Sequence, residues 1–160
     1  MKCVLVLSVV ACLSITLAAA APAAAPKIPL KATYAGKNSL GQAAKVFVSK
    51  QGKRVGYTMN VKLRCANGST VTGAYWTTEG KYYSQYWIRP TANGAFALSS
   101  SNKGKWDKGT YKASARFAGR FKSSTLTAGT FRGHLDYYNA DGSLLTRCDT
   151  GAVSWTATKR

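Results

Sequence analysis

His134 is the one histidine of this 160-residue chain, and Arg132 and Asp136 stand two residues to either side of it. On an extended strand, residues i and i+2 share a face, so a guanidinium, an imidazole and a carboxylate are expected side by side. Several chemistries use such a set. A Ser-His-Asp hydrolase has serines in plenty here, but no G-x-S-x-G or comparable setting for a nucleophile occurs. A basic ribonuclease would use a glutamate base, a histidine acid and arginines for the phosphate. Glu79 and His134 supply those types, and no spacing ties them together. One histidine and no free cysteine exclude the usual metal clusters. Five acids, Glu79, Asp107, Asp136, Asp141 and Asp149, offer little to a glycosidase, which needs a carboxylate pair across its substrate. Gly36, Gly41, Gly73 and Gly80 form no phosphate-cradling loop before a helix. No catalytic residue, metal or cofactor is assigned, and His134 is expected to be an exposed side chain without a catalytic role.

The stronger signal is charge. Lysine and arginine number 23 against five acids, a net charge of +18 at pH 7. Solubility alone asks for a magnitude of about 2–8 in a small domain. An excess this large predicts attraction to an anionic polymer: a cell-wall polymer, lipid head groups or nucleic acid. No nucleic-acid-binding motif is readable. The residues expected to carry the attraction are Lys62, Arg64, Lys112, Arg116, Arg120, Lys122, Arg132 and Arg147, all placed on the wet side of alternating segments.

A different chemistry is available to Tyr75, Trp76, Tyr82, Tyr83, Tyr86 and Trp87, six aromatics within thirteen residues. In the alternation of this segment, Tyr82 and Tyr86 face one way and Tyr83 and Trp87 the other. Aromatics on two faces exceed what one core uses. They could stack on sugar rings or bases, with Lys81 and Arg89 nearby for anionic groups. The alternative function is therefore a barrel or cleft that binds a small apolar or carbohydrate ligand with residues 75–87 at its mouth.

The elements that must position these residues are strands. Val55, Tyr57, Met59, Val61, Leu63 and Cys65 alternate with polar or small residues, and so do Tyr111–Phe117, Phe131–Tyr137 and Val153–Ala157. No helical period appears. Strands are expected near 31–37, 43–50, 53–66, 70–77, 81–89, 94–99, 109–118, 119–127, 129–139, 143–149 and 151–158, some merging or failing to leave eight or nine. Gln51-Gly52, Asn67-Gly68, Asn93-Gly94 and Asp141-Gly142 separate them. Asn-Gly and Asp-Gly tolerate positive φ at both central positions, so two-residue hairpin turns are expected. The fold class is all-β, an antiparallel β-sandwich or closed β-barrel in one domain.

Residues 1–20 carry one positive charge at Lys2, an apolar run to Leu17 and a small-residue end at Ala18-Ala19-Ala20, the form of a secretory signal peptide. The run is short for a membrane span, which needs roughly 20 apolar residues, and no later segment is apolar enough. Val9-Val10-Ala11-Cys12 loosely matches a lipoprotein site, but apolar sequence continues past Cys12, so cleavage before Ala21 is expected instead. That cut removes Lys2 alone among the charges and leaves +17 on the remaining 140 residues. Residues 21–29 hold three of the four prolines and read as a linker, followed by one domain over 30–160. Cys3 and Cys12 leave with the leader, so Cys65 and Cys148 are expected to form a disulfide in an oxidising compartment. Closing that long loop is worth roughly 4–5 kcal/mol in the chain-entropy model.

Tyr34-x-Gly36, Lys45-Val46-Phe47-Val48-Ser49, Gly52-x-x-Val55, Cys65, Gly119-x-Phe121 and the terminal Cys148-Asp149-Thr150-Gly151-x-Val153-x-Trp155-x-Ala157 form an ordered pattern. In it the chain resembles small exported all-β proteins of actinobacteria and their relatives. The resemblance covers most of residues 30–160. It implies export, the all-β class and the Cys65–Cys148 pair, and it transfers no catalytic residue. The expected function is non-catalytic binding outside the cell or at its envelope.

Overall fold

A computed structural model describes Pro26, residues 28–76 and residues 87–160. The leader, most of the linker, Glu79, Lys81, Tyr82, Tyr83 and Tyr86 lie outside the described residues, as does most of the strand expected at 81–89; only an isolated bridge from Ile88 to Val55 falls within them. Nine strands form among the described residues: β1 (Thr33–Asn38), β2 (Ala43–Val48), β3 (Val55–Cys65), β4 (Thr70–Trp76), β5 (Ala95–Trp106), β6 (Gly109–Phe121), β7 (Leu126–Asn139), β8 (Leu144–Asp149) and β9 (Val153–Lys159). The described residues contain no helix, and hence none long and apolar enough to cross a membrane.

The alternation read from sequence is the alternation of burial. In β3, Val55, Tyr57, Met59, Val61, Leu63 and Cys65 are buried while Asn60, Lys62 and Arg64 are exposed. Two boundaries differ from expectation. β5 continues to Trp106 although Ser100, Asn102 and Gly104 give its inner side little apolar character. Pairing with β6, unbroken from Ala95↔Arg120 to Trp106↔Gly109, holds it extended instead. The strand expected at 119–127 does not exist as such. β6 runs through to Phe121, and Lys122 N–H donates to the Leu126 carbonyl at 2.9 Å to turn the chain into β7.

All pairings are antiparallel. They run β4-β3-β2-β1-β9-β7-β6-β5, and β8 joins β3 to β7. The circuit β3-β2-β1-β9-β7-β8 therefore closes on itself, with β4 and the β5–β6 hairpin attached outside the ring. Cys65 and Cys148 are register partners where β8 meets β3, and their disulfide spans 83 residues.

The β5–β6 hairpin lies over the ring through stacked aromatics. Phe117 of β6 stacks on Tyr57 of β3 (centroids 3.9 Å apart, planes 7° apart) and on Trp155 of β9 (4.9 Å, 10°). Phe96 of β5 joins at 5.9 Å from Phe117. Gly119 makes room for this stack: a Cβ there would stand 2.7 Å from the Phe96 ring and 2.5 Å from the Trp155 ring. Aromatic pairs of this kind contribute about 0.5–1.5 kcal/mol each beyond their buried area.

The hairpin turns differ in kind from the expected two-residue type. Gly68, Gly94 and Gly142 have φ of +83°, +75° and +84°, but the Asn or Asp before each does not enter the left-handed region. At Asn67-Gly68, the Gly68 N–H donates to the Cys65 carbonyl and the Cys65 N–H to the Ser69 carbonyl, both at 2.9 Å. The same pattern joins Asn139, Gly142 and Ser143. These are three-residue loops closed by a left-handed glycine. The Asx side chain supplies an acceptor rather than a positive φ: Asn67 Oδ1 receives the Ser69 N–H and Asp141 Oδ1 the Ser143 N–H.

Candidate anion-binding face

Phe117, Phe121 and Phe131 point inward, so their neighbours Arg116, Arg120 and Arg132 must point out. Lys62, Arg64, Lys112, Arg116, Arg120, Lys122, Arg132 and Arg147 are all exposed. Register decides which of them meet. Lys112 faces Asp136, which faces Arg147; Arg116 faces Arg132; Arg64 faces Asp149. Six of the eight thus occupy neighbouring outward positions on β6, β7, β8 and β3, because Lys62 precedes Arg64 by two on β3. Arg120 shares the face farther along β6, and Lys122 lies just beyond the end of that strand.

The extended β5 adds Lys103, which faces Lys112, and Lys105 two positions on. Sequence alternation missed both, since the inner side of β5 between Leu98 and Trp106 carries only Ser100, Asn102 and Gly104. Ser99 and Ser101 precede them on the same face, opposite Arg116 and Ser114. Two adjoining open cavities of about 340 and 440 Å³ lie over this part of the sheet and meet at Ser114 and His134.

His134 stands between two carboxylates. Its Nε2 is 2.9 Å from Asp136 Oδ1 and its Nδ1 is 3.4 Å from Asp149 Oδ2. Asp136 also meets Arg147 Nε at 3.4 Å and accepts from the Tyr138 hydroxyl at 3.4 Å; Asp149 meets Arg132 Nε at 3.4 Å. Ser114 is the register neighbour of His134 on β6. Asp136 ties His134 to Arg147, and Asp149 ties it to Arg132. Lys112 lies 4.7 Å above the Tyr138 ring, a cation–π contact on the same face.

The run Cys148-Asp149-Thr150-Gly151 has a structural account. Cys148 carries the disulfide, and Asp149 reaches His134 and Arg132. The Thr150 Oγ1 accepts the Gly133 N–H at 2.9 Å, while its own N–H donates to the Gly133 carbonyl at 3.0 Å. Gly151 turns the chain at φ +66° into β9. These four residues fasten the β8–β9 corner to β7 immediately beside the cation cluster.

No family model, curated protein or solved structure matches this chain.

The aromatic segment is only partly described. Tyr75 sits half-buried on β4 with its ring 5.1 Å from Phe131. Burial, then Tyr137 and Asp149, push its hydroxyl up to about 12. Trp76 ends β4, and Trp87 is half-buried before the Ile88 bridge. The described residues hold no group of three or more His, Cys, Asp or Glu suited to a metal ion.

Proposed function

We propose that this is a secreted, non-catalytic binding protein that holds an anionic polymer on the outer face of β6, β7, β8 and β3, outside the cell or at its envelope. The observation that carries the reading is the cross-strand register that gathers Lys112, Arg116, Arg132, Arg147 and Arg64 from four strands. Among the described residues, only Asp136 and Asp149 interrupt the basic character there, and both are engaged by His134 and arginines. Each His134 nitrogen lies beside a carboxylate that also meets an arginine, which supports a role in ordering the cation face. Secretion rests on the form of residues 1–20 and on the disulfide, which suits an oxidising compartment.

The test is retention of the oxidised protein, without residues 1–20, on immobilised anionic and neutral polymers across a salt series. Each phosphate contact should contribute roughly 0.7–0.9 to the slope of log K against log salt. Arg116→Gln with Arg132→Gln should flatten that slope and leave the thermal midpoint unchanged. Retention that ignores salt and disappears in Trp87→Ala would instead favour the aromatic segment and a neutral ligand.

A further inference from the structure

The proposed face has a direction and a period. Outward positions along β6 are Lys112, Ser114 and Arg116, and each has an outward register partner on β5: Lys103, Ser101 and Ser99. Arg132 of β7 lies beside Arg116 on the other side. Along β6 this gives a lysine pair, a serine pair and an arginine pair, at intervals of two residues. A strand advances about 6.7 Å in two residues.

That interval has a chemical counterpart. Three backbone bonds of an extended chain reach about 3.3–3.6 Å, so the six bonds joining successive phosphorus atoms through a three-carbon diol reach about 7 Å. Building on the polyanion reading, we infer that the groove over β5 and β6 takes an extended polyol phosphate with three-carbon linkers, laid along β6 with one phosphate per two residues. Lys103 and Lys112 hold one phosphate, Ser101 and Ser114 the next, and Arg116 with Arg132 the third.

Asp136 and Asp149 on the β7 and β8 side are engaged by His134, Arg147 and Arg132, so the line of the polymer follows Lys103, Lys112 and Arg116, which form no ion pair among the described residues. Both cavities are lined by serine, alanine, asparagine, charged groups and His134, with no aromatic among the described lining residues. Single-stranded nucleic acid shares the six-bond repeat but is held through bases stacked on aromatic rings. A small, hydroxylated floor matches a polyol, and the Tyr138 ring on this face is covered by Lys112.

The experiment measures affinity at about 0.15 M salt, where exposed charges are screened beyond roughly 8 Å. The probes are synthetic three-phosphate oligomers, one linked through glycerol and one through 1,5-pentanediol, whose eight-bond repeat spans about 9 Å. An oligothymidylate of equal charge is the third probe. The glycerol-linked oligomer should bind about tenfold more tightly than the pentanediol-linked one. Ser114→Val, which leaves the charge unchanged, should erase that preference while leaving the salt slope unaltered. Equal, salt-dependent affinity for both linkers would overturn the spacing argument and leave the polyanion reading standing. Tighter binding of the oligothymidylate would overturn the choice of a polyol. Failure of all three probes to bind, at any salt concentration, would overturn the polyanion reading as well.

Discussion

Phe117→Ala tests the packing that aims the cation face outward. The ring is fully buried and is stacked between Tyr57 and Trp155, with Phe96 also in contact. Truncating a buried phenylalanine costs about 3–5 kcal/mol. Two close, nearly parallel ring contacts, each adding about 0.5–1.5 kcal/mol, keep this site off the bottom of that range, at about 4 kcal/mol. With an unfolding entropy of about 2.1 cal/mol/K per residue over about 130 residues, the thermal midpoint should fall by about 15 °C. Arg116→Gln, one residue away on the exposed side, should stay within about 0.5 kcal/mol of the parent. Urea unfolding followed by tryptophan fluorescence gives both values. A loss below about 1 kcal/mol in Phe117→Ala would mean that β6 does not lie over β3. The inward and outward sides of β6 would then be misassigned, and Ser114 and Arg116 would not face a groove.

Three further outcomes are expected. Burial holds the Tyr57 and Tyr75 hydroxyls up at about 12 against 10.0 for a free side chain. The folded chain thus keeps protons that the unfolded chain releases, so this contribution is complete below pH 10 and lost as pH rises toward 12; absorbance at 295 nm should show these tyrosines ionising only with unfolding or near pH 12. Cys65→Ala with Cys148→Ala should lower stability by roughly 4 kcal/mol and raise amide exchange where β8 meets β3 before it does so in the β5–β6 hairpin. Gly129→Ala should unfold the protein more readily than Gly68→Ala, by thermal melting. A Cβ at 129 collides with the Ala118 carbonyl, whereas the Gly68 site is open and its positive φ costs an alanine only about 1–2 kcal/mol.

Period-two alternation made β3, β6 and β7 legible, because each carries apolar residues on one side only. It found the eight cations for the same reason. It did not find Lys103 and Lys105, whose strand is held by pairing to β6 rather than by its own inner residues. The turn glycines were legible as turns but not in type. The Asx side chain can act either through its backbone φ or as an acceptor, and sequence does not separate the two. The place of Asp149 beside His134 was illegible, since it depends on β8 bridging to β7 after a register shift between Tyr137 and Tyr138. Cys148 offered the one local signal, a residue fixed by the disulfide and immediately before Asp149.

The neighbours of β9 bear on how the chain reaches this state. β9 lies between β1 and β7, and Tyr34 of β1 pairs with Lys159 of β9. A chain growing from its amino end can form the β1–β2–β3 meander and the β5–β6–β7 meander locally, but the two have no hydrogen-bonded bridge through β9 until residues 153–159 arrive. Contacts of such long sequence separation form slowly, since loop-closure entropy must be overcome first. The first strand therefore waits for the last, and until β9 arrives the edge of β1 and the Leu126–Phe131 stretch of β7 stay open, although β8 can already join the rest of β7 to β3.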